Sequence, residues 1–257
     1  MNVVTARQMV GAEILKLRRN RAILGFAFVL SVVIIVFYFG YNAIEHASNP
    51  AMNGPAGGIL RFRRAVRVLG LYFGGLTAVL IGTEAGSADL ASGVFRDLVA
   101  TGRSRLSLFL VRAPAAIIVT LVFNAVGFLI TLAATFVFAG STPTPDVSLI
   151  LQSAGWIVLS NVVLAALAVG VGSLTGSRAV ALTALIGWQL LATQLLLNVV
   201  SLGSARDGLL TPAVSQLAPF DLGIGVTMAT GVAIAVLVGW LLIPAAAGAW
   251  RTQTRDA

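Results

Sequence analysis

Six stretches of this chain run without a charged residue for close to, or well beyond, the length needed to cross a bilayer. A crossing helix needs about 20 consecutive, mainly apolar residues. The first such stretch, Ala22 to Tyr41, lies inside a run that ends before Glu45. The second, Val68 to Thr83, is short and pinned between Arg67 and Glu84. The others lie within Ala113–Pro145, Val147–Ser177, Ala179–Ala205 and Leu222–Trp250. The fold class expected is therefore an all-α integral membrane protein, one transmembrane domain over 1–257 with spans near 22–41, 68–83, 113–138, 149–174, 179–202 and 222–247. The first run has a basic flank, but a signal-peptide core is only about 7–15 residues long. It reads as a retained helix.

Composition removes the main alternatives. The chain is 58% hydrophobic and 10% charged, against about 25% charged in soluble domains. It has no cysteine, one histidine (His46) and one lysine (Lys16). Disulfides, thiol catalysis and Cys/His zinc sites are thereby excluded. Lys16 stands between two leucines with no Gly-rich loop before it, so a phosphate-cradling Gly-Lys-Ser/Thr motif is absent too. No catalytic, metal or cofactor residue is assigned to the chain. The formal net charge of +8 orients so apolar a chain in a bilayer rather than binding nucleic acid.

Six spans place both termini on one side. With that side cytoplasmic, it holds Arg7, Lys16, Arg18, Arg19, Arg21, Arg96, Arg103, Arg105, Arg112, Arg178, Arg251 and Arg255, twelve bases, against five outside: Arg61, Arg63, Arg64, Arg67 and Arg206. The positive-inside rule selects this orientation. The cluster from Arg61 to Arg67 violates it locally. At ~100° per residue these four occupy one arc of about 160°, with Ile59, Phe62, Ala65, Val66 and Leu69 filling much of the opposite arc. An amphipathic helix lying on the outer surface is expected. Its arginines either snorkel to outer headgroups or draw anions to an entrance or exit.

Three further segments carry pattern. Val3, Ala6, Val10, Ile14 and Leu17 form a helical stripe in 1–21, expected as an interfacial helix with Glu13 and Lys16 as an i,i+3 pair. Between spans two and three, Ser87 reads as a helix cap with Asp89 in the first turn. Leu90, Ala91, Val94, Phe95, Leu98 and Val99 then line one face, opposite Asp89, Ser92, Arg96, Asp97 and Ala100, and Thr101-Gly102 stops the helix. After span five, Thr211-Pro212 starts a short apolar helix that Pro219 closes, expected as a re-entrant or interfacial element. Polar side chains within the spans are Asn124, Gln152, Asn161, Gln189, Gln194 and Asn198. Interhelical hydrogen bonding is their ordinary use. Gln189, Gln194 and Asn198 share a span and are also candidates for a translocation path. The small-residue pairs Gly70/Gly74 and Gly172/Gly176 have close-approach spacing.

The order of these elements resembles the permease subunit of ABC transporters of the ABC-2 type. Ala12-Glu13-Ile14-Leu15-Lys16-Leu17-Arg18 is similar to that family's Glu-x-x-Lys-Leu start. The stretch from Asp89 to Arg105 resembles its acidic-x-x-x-Gly-Thr-x-Arg-x-Leu motif followed by Gly and Ser-Arg, with Val94 where threonine is usual. The resemblance implies a homodimer or a heterodimer with a related permease, set in the bacterial plasma membrane above separate ATP-binding subunits that hold ATP and Mg. It further implies that the helix from Asp89 to Ala100 is a coupling helix, with Asp89, Gly93, Arg96, Asp97, Arg103 and Arg105 at the ATPase contact and Glu84 as a partner for a nearby arginine. Other classes stay open on the residues alone. A six-span secondary transporter or channel usually carries an intramembrane ionisable residue, and Glu84 is the candidate here. An intramembrane serine protease would need a histidine at matching depth, where His46 falls in a loop; a membrane scaffold needs nothing the chain lacks.

Overall fold

The computed structural model describes residues 3–254, in which all regular structure is helical. Helix α1 (Val3–Arg19) leads into α2 (Arg21–Ser48), whose start is capped by the Asn20 side chain accepting from the Ile23 N–H. A loop follows, then α3 (Gly58–Gly70) and α4 (Phe73–Ala91). Two short helices, α5 (Val94–Ala100) and α6 (Arg105–Leu110), precede the long α7 (Arg112–Val137) and α8 (Val147–Thr175). The chain closes with α9 (Arg178–Asn198), the short α10 (Leu210–Gln216) and α11 (Thr230–Thr254). Six helical stretches among these residues are long and apolar enough to cross a membrane: Arg21–Ser48, Gly58–Ala91, Arg105–Val137, Val147–Thr175, Arg178–Asn198 and Thr230–Thr254. α1, the α5–α6 segment, the start of α9 and the end of α11 gather at one end of the bundle, here the terminal face. The loops after α2, α7 and α9 form the far face.

The α4–α8 pair is the spine, and small residues set its spacing. A Cβ on Gly82 would lie 2.6 Å from the Ala165 carbonyl oxygen and 2.7 Å from the Ala168 Cβ, and one on Gly172 would lie 2.8 Å from the Thr83 carbonyl oxygen. Gly172, singled out by its spacing to Gly176, therefore does mediate close approach, but to α4; Gly176 instead ends α8 in a left-handed turn (φ 68°). Gly170 meets the backbone at Pro244 and Gly248 of α11 in the same manner. Backbones this close gain dispersion contacts that larger side chains would forbid.

Helix α3 does not lie apart on a surface, which corrects the reading of its amphipathic pattern. Its first turn is tied to the far end of α7, Gly57 N–H donating to the Phe138 carbonyl (2.8 Å) and Ile59 N–H to the Pro143 carbonyl (2.8 Å). Its last residue, Gly70, abuts the Trp156 ring on α8. Phe62, Ala65, Val66 and Leu69 are all fully buried between these helices. The opposite face keeps Arg63 and Arg64 exposed and Arg61 and Arg67 half-buried. The helix breaks at Leu71–Tyr72, and the Leu69 carbonyl, left without its helical partner, accepts from Asn161 Nδ2 (3.2 Å). Asn161 Oδ1 in turn accepts from Asn124 Nδ2 (3.1 Å), Asn124 Oδ1 from Ser31 (3.2 Å), and Ser31 shares a hydrogen bond with Thr77 (2.8 Å). Ser31 reaches inward from a π-helical turn, Val29–Val33, in α2. Interhelical bonding is thus what Asn124 and Asn161 do.

Two helices have bounds that differ from those of the apolar runs they carry. The helix carrying the second span does not stop at residue 83 but runs to Ala91, since Glu84 and Asp89 are both paired rather than solvated. The helix carrying the sixth starts at Thr230, not 222, because the chain from 217 to 229 is irregular and Asp221 Oδ1 turns it by accepting from Gly223 N–H (2.7 Å). The short apolar helix expected at Thr211-Pro212 forms as α10 and ends at Gln216. Thr211, Pro212, Ala213 and Val214 are buried, and Trp156 Nε1 donates to the Val214 carbonyl (2.8 Å). α9 and α11 are the least enclosed spans, 11% and 17% buried in their most apolar windows against 67% for α8. Their apolar surface is left for lipid or for another chain.

Gly82→Ala is expected to lower the thermal midpoint of the detergent-solubilised protein, the usual overpacking cost being about 1–3 kcal/mol. Gly155→Ala, where a Cβ meets nothing within 4 Å, should leave the midpoint unchanged or raised. Equal midpoints for the two variants would remove the α4–α8 contact as the determinant.

Candidate functional site

At the terminal face the acidic and basic side chains of four helices converge. Arg112, the first residue of α7, is fully buried (0% exposed). Its Nη2 lies 3.2 Å from Asp89 Oδ2, and Nη1 donates to the Gly86 carbonyl (3.2 Å) and the Ser173 hydroxyl (3.4 Å). Asp89, 4% exposed near the end of α4, also accepts two hydrogen bonds from Lys16 Nζ of α1 (2.7 and 2.8 Å). Lys16 closes the chain on Glu13 (2.8 Å). The guanidinium of Arg112 sits 5.6 Å from the centroid of the Phe95 ring, so α5 rests its one buried side chain on the network. Beside it, Glu84 accepts from Asn20 Nδ2 (2.8 Å) and pairs with Arg178 at the start of α9 (3.2 Å). An open groove of about 610 Å³ runs between these pairs, lined by Lys16, Glu84, Asp89, Ser92, Val94 and Arg178.

Burial raises the Glu13 carboxyl above its ordinary value, Lys16 beside it pulling part of the way back and Asp89 adding to the rise. The fold thus favours the protonated form of Glu13. Its contribution to stability is complete at pH below the ordinary carboxylate range and is lost as pH climbs through the raised value.

The residues expected at an ATPase contact divide into two groups. Asp89 is not on an exposed helical face: it belongs to α4, points into the bundle and is consumed by Lys16 and Arg112. Ser87 likewise caps nothing, its hydroxyl bonding the Thr83 carbonyl within α4 (2.7 Å). The single helix expected over 89–100 is two, separated at Gly93, whose left-handed backbone (φ 76°) a side chain would strain. Arg96, Asp97 and Arg103 are exposed on and after α5. Thr101-Gly102 does stop that helix, Gly102 N–H bonding the Val99 carbonyl (3.0 Å), and Ser104 caps the next by accepting from Ser107 N–H (3.2 Å). Arg105 reaches across to the carbonyl of Gln253 in α11 (3.0 Å).

Glu84 does find an arginine, Arg178. Of the residues considered for a path, Gln189 is half-buried with its Nε2 donating to Thr211 (3.3 Å), while Gln194 and Asn198 are exposed on α9, Asn198 bonding the Gln194 carbonyl (2.8 Å). The three are not one cluster. Sequence reasoning gave Arg112 only a place in the charge count. Its signal was an arginine directly before a long apolar run with a carboxylate near the end of the preceding long helix. His46 stays in the far-face loop, its Nδ1 bonded to the Asn53 carbonyl (2.7 Å). No protein-family model matches the chain, and no curated protein matches it significantly.

Asp89→Asn leaves the buried Arg112 with no carboxylate and should cost about 3–5 kcal/mol of stability. The double variant Asp89→Asn, Arg112→Met should recover much of the loss, measured as the denaturation midpoint in detergent. Lack of recovery would mean that the loss does not come from an uncompensated Arg112. Glu13→Gln should equal or exceed the parent in stability at neutral pH, with its relative advantage growing as pH rises above 4.5. A pH-independent difference between the two would contradict the raised carboxyl.

Proposed function

We propose that the chain is the membrane-spanning permease subunit of an ATP-driven ABC exporter of the ABC-2 type, working as a dimer above separate ATP-binding subunits, with both termini cytoplasmic. The observation that carries this reading is the attachment of α5. A helix between the second and third candidate spans sits at the same end as α1, its Phe95 against buried Arg112 and its Arg96 and Asp97 exposed. In this reading α5 is the coupling helix, α1 the interfacial helix and α10 the re-entrant element, and ATP and Mg are held by the partner. A push on Arg96 or Asp97 reaches Phe95 one or two residues away, then Arg112, and through Asp89 and Lys16 the end of α4 and α1. The ends of both helices thereby respond to one contact. Lipid or the second permease copy covers the apolar surface left open on α9 and α11.

The test is purification of the chain from its native membrane in mild detergent, with identification of co-purifying subunits and assay of ATPase activity. A nucleotide-hydrolysing partner is expected. Reversing Arg96 and Asp97 together (Arg96→Glu, Asp97→Arg) should reduce its recovery at least about tenfold while leaving the permease monodisperse, since both side chains are exposed. A chain that purifies alone and moves solute in vesicles without ATP is a secondary transporter or channel, and the reading fails.

A further inference from the structure

The far face carries the opposite electrostatic arrangement. Arg61, Arg63, Arg64 and Arg67 on α3 have no carboxylate within salt-bridge distance among the described residues. Three of the four acids at that end accept hydrogen bonds elsewhere, Asp146 from the Leu149 N–H to start α8, Asp221 from the Gly223 N–H and Glu45 from the Asn53 side chain, and the fourth, Asp207, forms no salt bridge with these arginines. Arg63 lies over the Phe220 ring (5.6 Å). Arg61 and Arg64 instead line a concavity of about 370 Å³ whose walls are apolar, formed by Pro55, Ile59, Leu60 and Pro143. The two backbone hydrogen bonds from Gly57 and Ile59 to the 138–143 segment hold that wall in place. Gly57 admits no side chain there, since a Cβ would lie 2.5 Å from the Phe138 and Thr135 backbone.

We infer that this concavity binds the phosphate headgroup of an anionic phospholipid, with Arg61 and Arg64 as its ligands. Charge complementarity gives the anion. The choice of lipid over a soluble anion rests on what surrounds the two guanidinium groups. Leu60 is 68% exposed beside them, and Phe136, Val137 and Phe138 are exposed at the end of α7 against which α3 starts. Depth agrees. α3 starts against the 138–143 segment beyond the end of α7 and reaches Trp156 of α8 only at its last residue, Gly70, so its first turns, which carry Arg61 and Arg64, occupy the rim of the bundle. A phosphate there meets two guanidinium groups in bidentate geometry while its acyl chains lie against Leu60 and the end of α7. This assignment is independent of how the protein is energised.

The test uses the full-length protein, delipidated in detergent and titrated with phosphatidylglycerol or phosphatidylcholine, bound lipid being counted by native mass spectrometry. Phosphatidylglycerol should bind preferentially, and Arg61→Gln with Arg64→Gln should weaken it about thirtyfold, the size expected for two surface charge contacts. Arg61→Lys with Arg64→Lys should retain part of the preference, and Arg206→Gln all of it. Unchanged phosphatidylglycerol binding in the glutamine variant overturns the proposal. Displacement of the lipid by millimolar inorganic phosphate would make this a soluble-anion site and overturn the lipid assignment. Should the glutamine variant fold poorly, the parental protein in vesicles containing headgroup-photoactivatable phosphatidylglycerol decides. Crosslinks must map to 54–64 or 142–143, and their absence there refutes the site.

Discussion

A guanidinium with no exposed surface imposes its terms on everything near it. Removing the Arg112 guanidinium from water is tolerable only with a carboxylate and several acceptors around it. Asp89, the Gly86 carbonyl and Ser173 meet that demand at the two terminal nitrogens, leaving Nε without a partner, and they belong to α4 and α8. Asp89 then has a second oxygen to satisfy, which brings Lys16 and with it α1. The face of the guanidinium left over is covered by Phe95. One side chain therefore fixes where four other elements end, and the terminal face is organised around its desolvation rather than around apolar packing alone.

The middle of the bundle solves a related problem without charge. Breaking the helix between α3 and α4 strands backbone carbonyls where no water is available, and an unsatisfied group in such surroundings is expensive. Asn161 takes the Leu69 carbonyl and hands the remaining valence to Asn124, Ser31 and Thr77. The small-residue contacts of Gly82 and Gly172 bring α4 and α8 close enough for this chain of bonds to close. Hydrogen bonds between membrane helices are individually worth little, about 0.6 kcal/mol. Their effect here is positional: they pair a break that would otherwise be left open.

Much of the helical order was legible because hydrocarbon-length apolar runs permit few alternatives, and a local stop such as Thr101-Gly102 obeys backbone chemistry that needs no tertiary context. The Glu13–Lys16 pair was legible for the same reason, being three residues apart on one helix. What stayed hidden depended on partners distant in sequence. A helical wheel assigns Asp89 to a wet face because it is charged, yet its partners lie 73 and 23 positions away. The wheel also assumes an unbroken helix, and the left-handed turn at Gly93 puts Asp89 and Arg96 on separate elements. The same wheel found the two faces of α3 correctly but not its burial, since periodicity states which residues share a face and not what covers it.

The two ends of the bundle handle charge in contrasting ways, and the contrast bears on which parts move together. At the terminal face Glu13, Lys16, Asp89 and Arg112 are consumed internally, so α1, α4, α7 and α8 are joined there as a unit. α5 is attached to that unit mainly through one ring on one cation, and glycines in left-handed conformation bracket it at Gly93 and Gly102. Glycine holds both left-handed turns without strain, and Phe95 shields the face of a guanidinium that has no exposed surface. The one buried side chain of α5 therefore lies on the one fully buried cation, while Arg96 and Asp97 beside it stay exposed, so the element that presents charge outward at this face is also the one least tied to the bundle.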